Sequence, residues 1–277
     1  MNHHLLEGKK GIIFGALDSK SIAWKIAARA HEEGAVFTLS NTPVALRFGE
    51  INRLAEECHA EVIPADATSV PDLEHVFRRS MEIFGGKIDF VLHSIGMSMN
   101  VRKQRDYDDV DYDYFHKTID ISAISFHKML QVAKKLDAIN NWGSVLALSY
   151  IAAQRTLVGY NDMADAKALL ESIARSFGYI YGREKQIRIN TISQSPTRTT
   201  AGSGIKGIEG LLDFTERMSP LGNATADECA DFSIVLFSDL ARKVTMQNIY
   251  HDGGFSSMAM SQKAMIQYNK CLEETDN

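Results

Sequence analysis

The chain alternates short, uniformly apolar runs with longer segments in which apolar residues return every three to four positions. The first kind reads as buried strand and the second as amphipathic helix. Strands are predicted at residues 11–14, 36–40, 61–64, 90–93, 144–148, 187–192 and 248–251, and helices at 21–33, 71–84, 112–136, 160–182 and 225–238. Two stretches break the alternation. Residues 197–220 are too long and too rich in Gly, Thr and Ser for a plain connection, and are expected to form a lid over a site. Residues 261–277 form a polar tail, expected to be mobile or to pack on another subunit.

Strands that are apolar on both faces and separated by helices form a parallel sheet, because each crossover lays a helix on one face or the other. The expected fold is therefore α/β: a doubly wound, Rossmann-type seven-stranded parallel sheet with helices on both faces, in a single domain spanning 1–277.

Composition narrows the function more than the fold. Hydrophobic residues make up 45% and charged residues 23%, a balance that fills a core and excludes disorder. No apolar run is long enough to cross a membrane and residues 1–10 carry no apolar signal core, so a cytoplasmic protein with no membrane partner is expected. Cys58, Cys229 and Cys271 are odd in number and far apart, which suggests neither a disulfide framework nor a metal site. A net charge of -5 disfavours nucleic acid as a partner.

The candidate chemistry gathers at strand ends. Gly15 leaves the first strand, and the helix opening at Ser21 and Ile22 would aim its free N–H groups at an anion such as a pyrophosphate. A full G-x-G-x-x-G fingerprint is absent, so this segment alone fits an ordinary βα turn nearly as well. Asp66 and Ala67 end the third strand, and Ser94, Ile95 and Gly96 end the fourth. Ligands of open α/β sheets bind at such exits. Asp66 could accept from an adenine amino group, and Gly96 would let backbone approach a ribose and nicotinamide. The second strand ends at Asn41, Thr42 and Pro43, with no cation for an extra phosphate, although Arg47 lies about a turn further on. Tyr160 and Lys167 are seven residues apart, which on a continuous helix returns them to within roughly 20° of one face and about 10 Å apart along the axis. That gap suits a ribose-sized group between two long polar side chains. A surface tyrosine and a solvated lysine would satisfy the same spacing.

Taken together these residues resemble the short-chain dehydrogenase/reductase superfamily and, within it, the enoyl-acyl carrier protein reductases of bacterial type II fatty acid synthesis. The resemblance spans roughly 7–256. It rests on Gly15 with Ser21-Ile22-Ala23, His93-Ser94-Ile95-Gly96, Tyr150 with Tyr160 and Lys167, Ser203-Gly204-Ile205-Lys206, and His251-Asp252-Gly253-Gly254-Phe255. The wide Tyr-to-Lys spacing is its specific part. Carbonyl-reducing members carry the lysine four residues after the tyrosine, where this chain has Ala164, and an asparagine near Ser122.

The resemblance implies NADH-dependent reduction of a trans-2-enoyl thioester carried on acyl carrier protein, by a homotetramer. Tyr160 would hydrogen-bond the thioester carbonyl, Lys167 would hold the nicotinamide ribose, and Tyr150 would pack on substrate beside Met97, Met163 and Ile205. Pro196, Thr197 and Thr199 would lie beside the nicotinamide. Two departures weigh on this: Lys25 follows Trp24 where relatives often have glycine, and Ser195 replaces a frequent glycine before Pro196. NADPH, a carbonyl reductase or alcohol dehydrogenase on the same fold, and a non-catalytic NAD-binding regulator are the alternatives. Ala164 argues against the carbonyl reductase, and the presence of both Tyr160 and Lys167 against the regulator. Arg102, Lys103, Arg105 and Lys206 are the basic residues available to meet an acidic carrier.

Overall fold

The computed structural model describes residues 3–48, 50–200, 202 and 207–275. Strands run over Lys10–Phe14 (β1), Val36–Ser40 (β2), Glu61–Val62 (β3), Ile88–His93 (β4), Ile139–Ser149 (β5), Arg188–Gln194 (β6) and Asn248–His251 (β7). Helices run over Ile22–Glu32 (α1), Pro43–Phe48 (α2), Ile51–Glu57 (α3), Val70–Ile83 (α4), Met99–Arg102 (α5), Tyr112–Ile119 (α6), Ser125–Lys135 (α7), Asp162–Lys185 (α8), Ile208–Met218 (α9), Ala226–Phe237 (α10) and Gln262–Thr275 (α11). All strand pairs are parallel, in the order β3-β2-β1-β4-β5-β6-β7. The order reverses between β1 and β4, and a crevice opens at the carboxyl ends of strands on either side of such a point.

The period of two along each strand assigns the faces. Ile12 and Phe14 of β1, Val91 of β4 and Val145 and Ala147 of β5 point into one core with α4, α7 and α8. Ile13, Leu92, Leu146 and Leu148 alternate into the other with α1, α3 and α10. Both faces are apolar, so the strands read as continuous hydrophobic runs. Local capping fixes where helices begin: the Ser69 hydroxyl accepts from Asp72 N at 3.3 Å to start α4, and Thr225 with Glu228 forms a capping box at α10. At the far end of α10, buried Arg188 donates to the carbonyls of Leu236, Phe237, Ser238 and Ala241, satisfying helix-end acceptors that would otherwise be orphaned.

Several elements depart from the sequence reading. The single helix predicted at 112–136 is α6 and α7 joined by a π turn at Asp120–Ile124, a local excess of one residue that apolar periodicity averages over. The expected lid contains α9, whose Leu212, Thr215 and Met218 are buried on one stripe. The tail is helical over α11 and packs on α9, with the Ser261 hydroxyl donating to Arg217 O at 2.5 Å. Helix α8 begins at Asp162, not at 160. Its N-cap Asn161 sits at φ 53, ψ -142, a conformation that breaks helical phase, so Tyr160 lies outside the helix and shares no helical face with Lys167. Turn geometry, not helical spacing, brings the two together.

Candidate active site

A cavity of about 920 Å³ opens at the carboxyl edge between β1 and β4, within the usual range of about 300–1,000 Å³ for small-molecule sites. Its walls come from six strand ends. Behind β1, Gly15 sits at φ 98, and a Cβ there would stand 2.0 Å from the Ser94 carbonyl oxygen, so only glycine allows this close approach of the two strand exits. Ser21 and Ile22 line the same wall at the start of α1, whose N-terminus has no side-chain cap and no acidic residue in its first turn. Ser21 instead donates to Asp18 O at 2.8 Å and holds the turn.

From β2, Asn41, Thr42, Val44 and Ala45 line the cavity. The Asn41 amide donates to Ala16 O at 2.8 Å and so ties this exit to the β1 turn. No cation lines the cavity at this end among the described residues, and Arg47 is exposed and stands off it. Asp66 and Ala67 line the next exit. One Asp66 oxygen, Oδ1, is committed to Thr68, accepting from its N at 2.9 Å and its hydroxyl at 2.8 Å.

The exit of β4 carries Ser94, Ile95, Gly96 and Met97. A Cβ on Gly96 would meet Met163 Cε at 2.9 Å and Lys167 Nζ at 3.6 Å, so its bare backbone is what leaves room beside the lysine. The π turn earns its geometry here: it brings the Ser122 hydroxyl to Met97, accepting from its N at 3.0 Å. Position 122 thus fastens a loop of the site.

The opposite wall is Leu148, Ser149 and Tyr150 from β5, with Tyr160, Met163 and Lys167 around the start of α8. That start is fixed by a buried network in which Asp162 accepts from Ser98 Oγ at 2.6 Å and from Asn100 Nδ2 at 2.8 Å, joining α5 to α8. The Tyr150 and Tyr160 rings lie 4.9 Å apart at 54°. Burial raises both phenols above the ordinary tyrosine value, so both are neutral donors at any working pH. The Tyr150 hydroxyl is buried without a hydrogen-bond partner among the described residues. Lys167 is only 6% exposed and donates to Leu148 O at 2.7 Å. Burial pulls its pKa down to about 8, against the opposing pull of Glu171 one turn along α8. His93, buried at the end of β4 and paired with Ser125 Oγ at 2.8 Å, is held down to about 3 by burial and by the nearby ammonium, so it stays neutral.

Pro196, Thr197 and Thr199 line the cavity after β6, together with Thr200, whose hydroxyl donates to Asp18 Oδ2 at 2.5 Å in the turn after β1. Ile208 and Leu211 of α9 close this side. Ile205, expected against substrate, lies outside the described residues, as do Ser203, Gly204 and Lys206. Every other site residue inferred from the sequence lines this one cavity. Asp120, Ile121, Ile208 and Leu211 also line it and were not anticipated. The first two ride on the π turn, which leaves no mark in apolar spacing, whereas Ile208 and Leu211 begin a helical stripe that the Gly- and Ser-rich residues before it obscured.

The family model described as enoyl-(acyl carrier protein) reductase matches residues 15–256. An NADH-type enoyl-acyl carrier protein reductase of Rhizobium meliloti is 34% identical over 92% of this chain and 94% of its own length. The FabI enzyme of Bacillus cereus is 32% identical over 91% of this chain and 98% of its own length. The crystal structure of a FabI–NADH complex from Alistipes finegoldii superposes with a TM-score of 0.94 at 71% identity, covering 95% of this chain and 93% of that one. Cavity, sequence match and superposition agree, and the chain belongs to the enoyl-acyl carrier protein reductase family.

Proposed function

We propose that this protein reduces the trans-2 double bond of enoyl-acyl carrier protein thioesters with NADH, in fatty acid elongation. The observation that carries the reading is the buried Lys167 ammonium facing the same cavity as Tyr150 and Tyr160, with Ala164 at the position four after Tyr160. Ala164 packs against the Tyr150 cluster, so no ammonium stands where carbonyl-reducing relatives need one.

The cavity fits the cofactor. Gly15 leaves the cradle that a Cβ would fill, the uncapped start of α1 offers N–H groups and a positive dipole end to a pyrophosphate, and Gly96 leaves room for a ribose beside Lys167. When bound, NADH supplies the hydride that goes to the β-carbon. As that carbon is reduced, negative charge grows on the thioester oxygen, and the Tyr160 hydroxyl is the donor suited to stabilise it. Lys167 holds ribose hydroxyls and adds positive potential beside the reacting atoms. A proton on the α-carbon, from Tyr160 or from water through it, completes the saturated thioester. Tyr150, Met97 and Met163 supply the apolar wall against the acyl chain.

NADH is preferred over NADPH because Asn41, Thr42, Val44 and Ala45 present no cation to a 2′-phosphate. For the carrier, Arg102, inferred from the sequence, and Lys117, which was not, line the cavity and are the cations placed to meet an acidic partner. Lys103 is turned toward Tyr114, 2.7 Å from its hydroxyl, and Arg105 toward Asp109 at 3.4 Å. A single domain with a substrate lid, a homotetramer and a cytoplasmic location complete the proposal. For the tetramer, exposed Tyr179 and Ile180 on α8 offer apolar surface.

The test follows NADH absorbance with crotonyl and longer enoyl thioesters beside acetoacetyl thioesters and simple ketones. Saturation of the enoyl substrates is expected. Oxidation of NADH by the ketones alone would transfer the chain to the carbonyl reductases.

A further inference from the structure

Glu171 is 3% exposed, and both of its oxygens are satisfied from the same wall. Ser149 Oγ donates to Oε1 at 2.6 Å, and Gln154 Nε2 donates to Oε2 at 2.8 Å. Gln154 is itself held by the Tyr250 hydroxyl of β7, which donates to its Oε1 at 2.6 Å. Both carboxylate oxygens act as acceptors in these bonds. A buried carboxylate is costly unless it opposes a charge. The charge one turn away on the same helix is Lys167, which clasps Leu148 O while Glu171 clasps the next residue, Ser149. Both groups are thus tied to the last two residues of β5, and the ammonium also lines the cavity.

We propose that Glu171 is a positioning residue for the reduction: held by Ser149 and Gln154, its carboxylate keeps Lys167 charged and oriented in the cavity. This rests on the role given to Lys167 above. The remaining groups facing that ammonium are His93 from β4, Tyr150 after β5 and Tyr160 before α8. None of them supplies a counter-charge, since the histidine and both phenols are neutral at working pH. Asp120, on the π turn across the cavity, is paired with Lys128 at 2.7 Å. Glu171 therefore carries the local balance.

The sign of the pH effect follows. Lys167 acts as an ammonium, so kcat/KM should fall as pH rises through about 8. Glu171→Gln keeps the shape and the acceptor toward Ser149 but removes the charge, and should move that limb down by about one pH unit. The loss relative to wild type is then about eightfold near pH 8.5 and under twofold near pH 6. Glu171→Asp retains the charge; its limb should stay at the wild-type position even where overall activity drops. The profiles are measured with crotonyl thioester as substrate, and NADH affinity is followed by fluorescence over the same pH range. A limb that does not move in Glu171→Gln, or a loss equal at all pH values, overturns the proposal while leaving Lys167 in place. Equal shifts in the Gln and Asp variants also overturn it, since charge would not be the cause. Should Glu171→Gln fail to fold, an Asp limb displaced from wild type is the overturning result and an undisplaced one the supporting result. A wild-type profile with no limb near 8, unchanged in Lys167→Met, would instead remove the reading of Lys167 itself.

Discussion

The two ends of the cavity are built in opposite ways. At the β5 and α8 end, Lys167, Glu171 and Asp162 are buried, and each is fixed by hydrogen bonds to neighbours that are themselves held. At the β2 and β3 end the wall is short and open: β3 has two residues, α2 has six, and Val44 and Asp66 are exposed. The difference teaches where chemistry demands precision. A charge that develops during reaction is stabilised only by dipoles already in place, whereas recognition of an adenosine tolerates a loosely built wall that mainly must not offend it.

Substitutions at the two ends should therefore differ in kind as well as in size. Tyr160→Phe is expected to have the largest effect, lowering kcat on the order of 10²-fold or more while NADH affinity changes less than about twofold, because only a transition-state donor is lost. Stopped-flow turnover beside fluorescence titration checks this, and equal losses in both would make Tyr160 a structural residue. Lys167→Met should weaken NADH binding by about 10- to 100-fold and lower turnover too, since hydrogen bonds from an ammonium serve ground and transition state alike. An unchanged dissociation constant would break the contrast.

At the open end, effects should be smaller and confined to cofactor choice. Val44→Arg places a cation on an exposed position that lines the cavity, and should raise kcat/KM with NADPH by about tenfold with little change for NADH. No gain would mean that the 2′-position lies elsewhere. Arg47→Ala should be the mildest, changing the NADH to NADPH ratio by less than about twofold, because Arg47 stands off the cavity. A larger change would show the β2 end to be better organised than its short elements suggest.

The strand exits were legible because a parallel sheet buried on both faces writes each strand as an apolar run, and its topology then dictates where ligands gather. Gly15, Asp66 and Gly96 were placed by that rule, whereas Tyr150 entered through the family resemblance. Tyr160 and Lys167 reached the same cavity by a different route from the one their spacing implied: the Asn161 turn sets Tyr160 outside α8. Family resemblance identified the pair, and helical arithmetic agreed by coincidence. Glu171 went unnoticed although it lies four residues after Lys167, because a lone acid on a long helix reads as a solvated charge until its burial is known. Helix α9 was obscured by the Gly- and Ser-rich residues that precede it, and α11 by its own polarity, which a helix packed along one edge does not need to shed.

Between α6 and α7 the π turn acts as a phase shifter. Each residue of an α-helix advances the side chains by about 100°, so one surplus residue in a turn rotates everything downstream against everything upstream by about that amount. Upstream of it, buried Thr118 sets one phase; downstream, Phe126, Met129 and Leu130 set another against the sheet, and Ser122 between them faces Met97. A single substitution in this stretch changes one of these contacts. Deleting one residue would restore a regular helix and force a choice between the core stripe and the loop of the site, so this segment should tolerate changes of letter far better than changes of length.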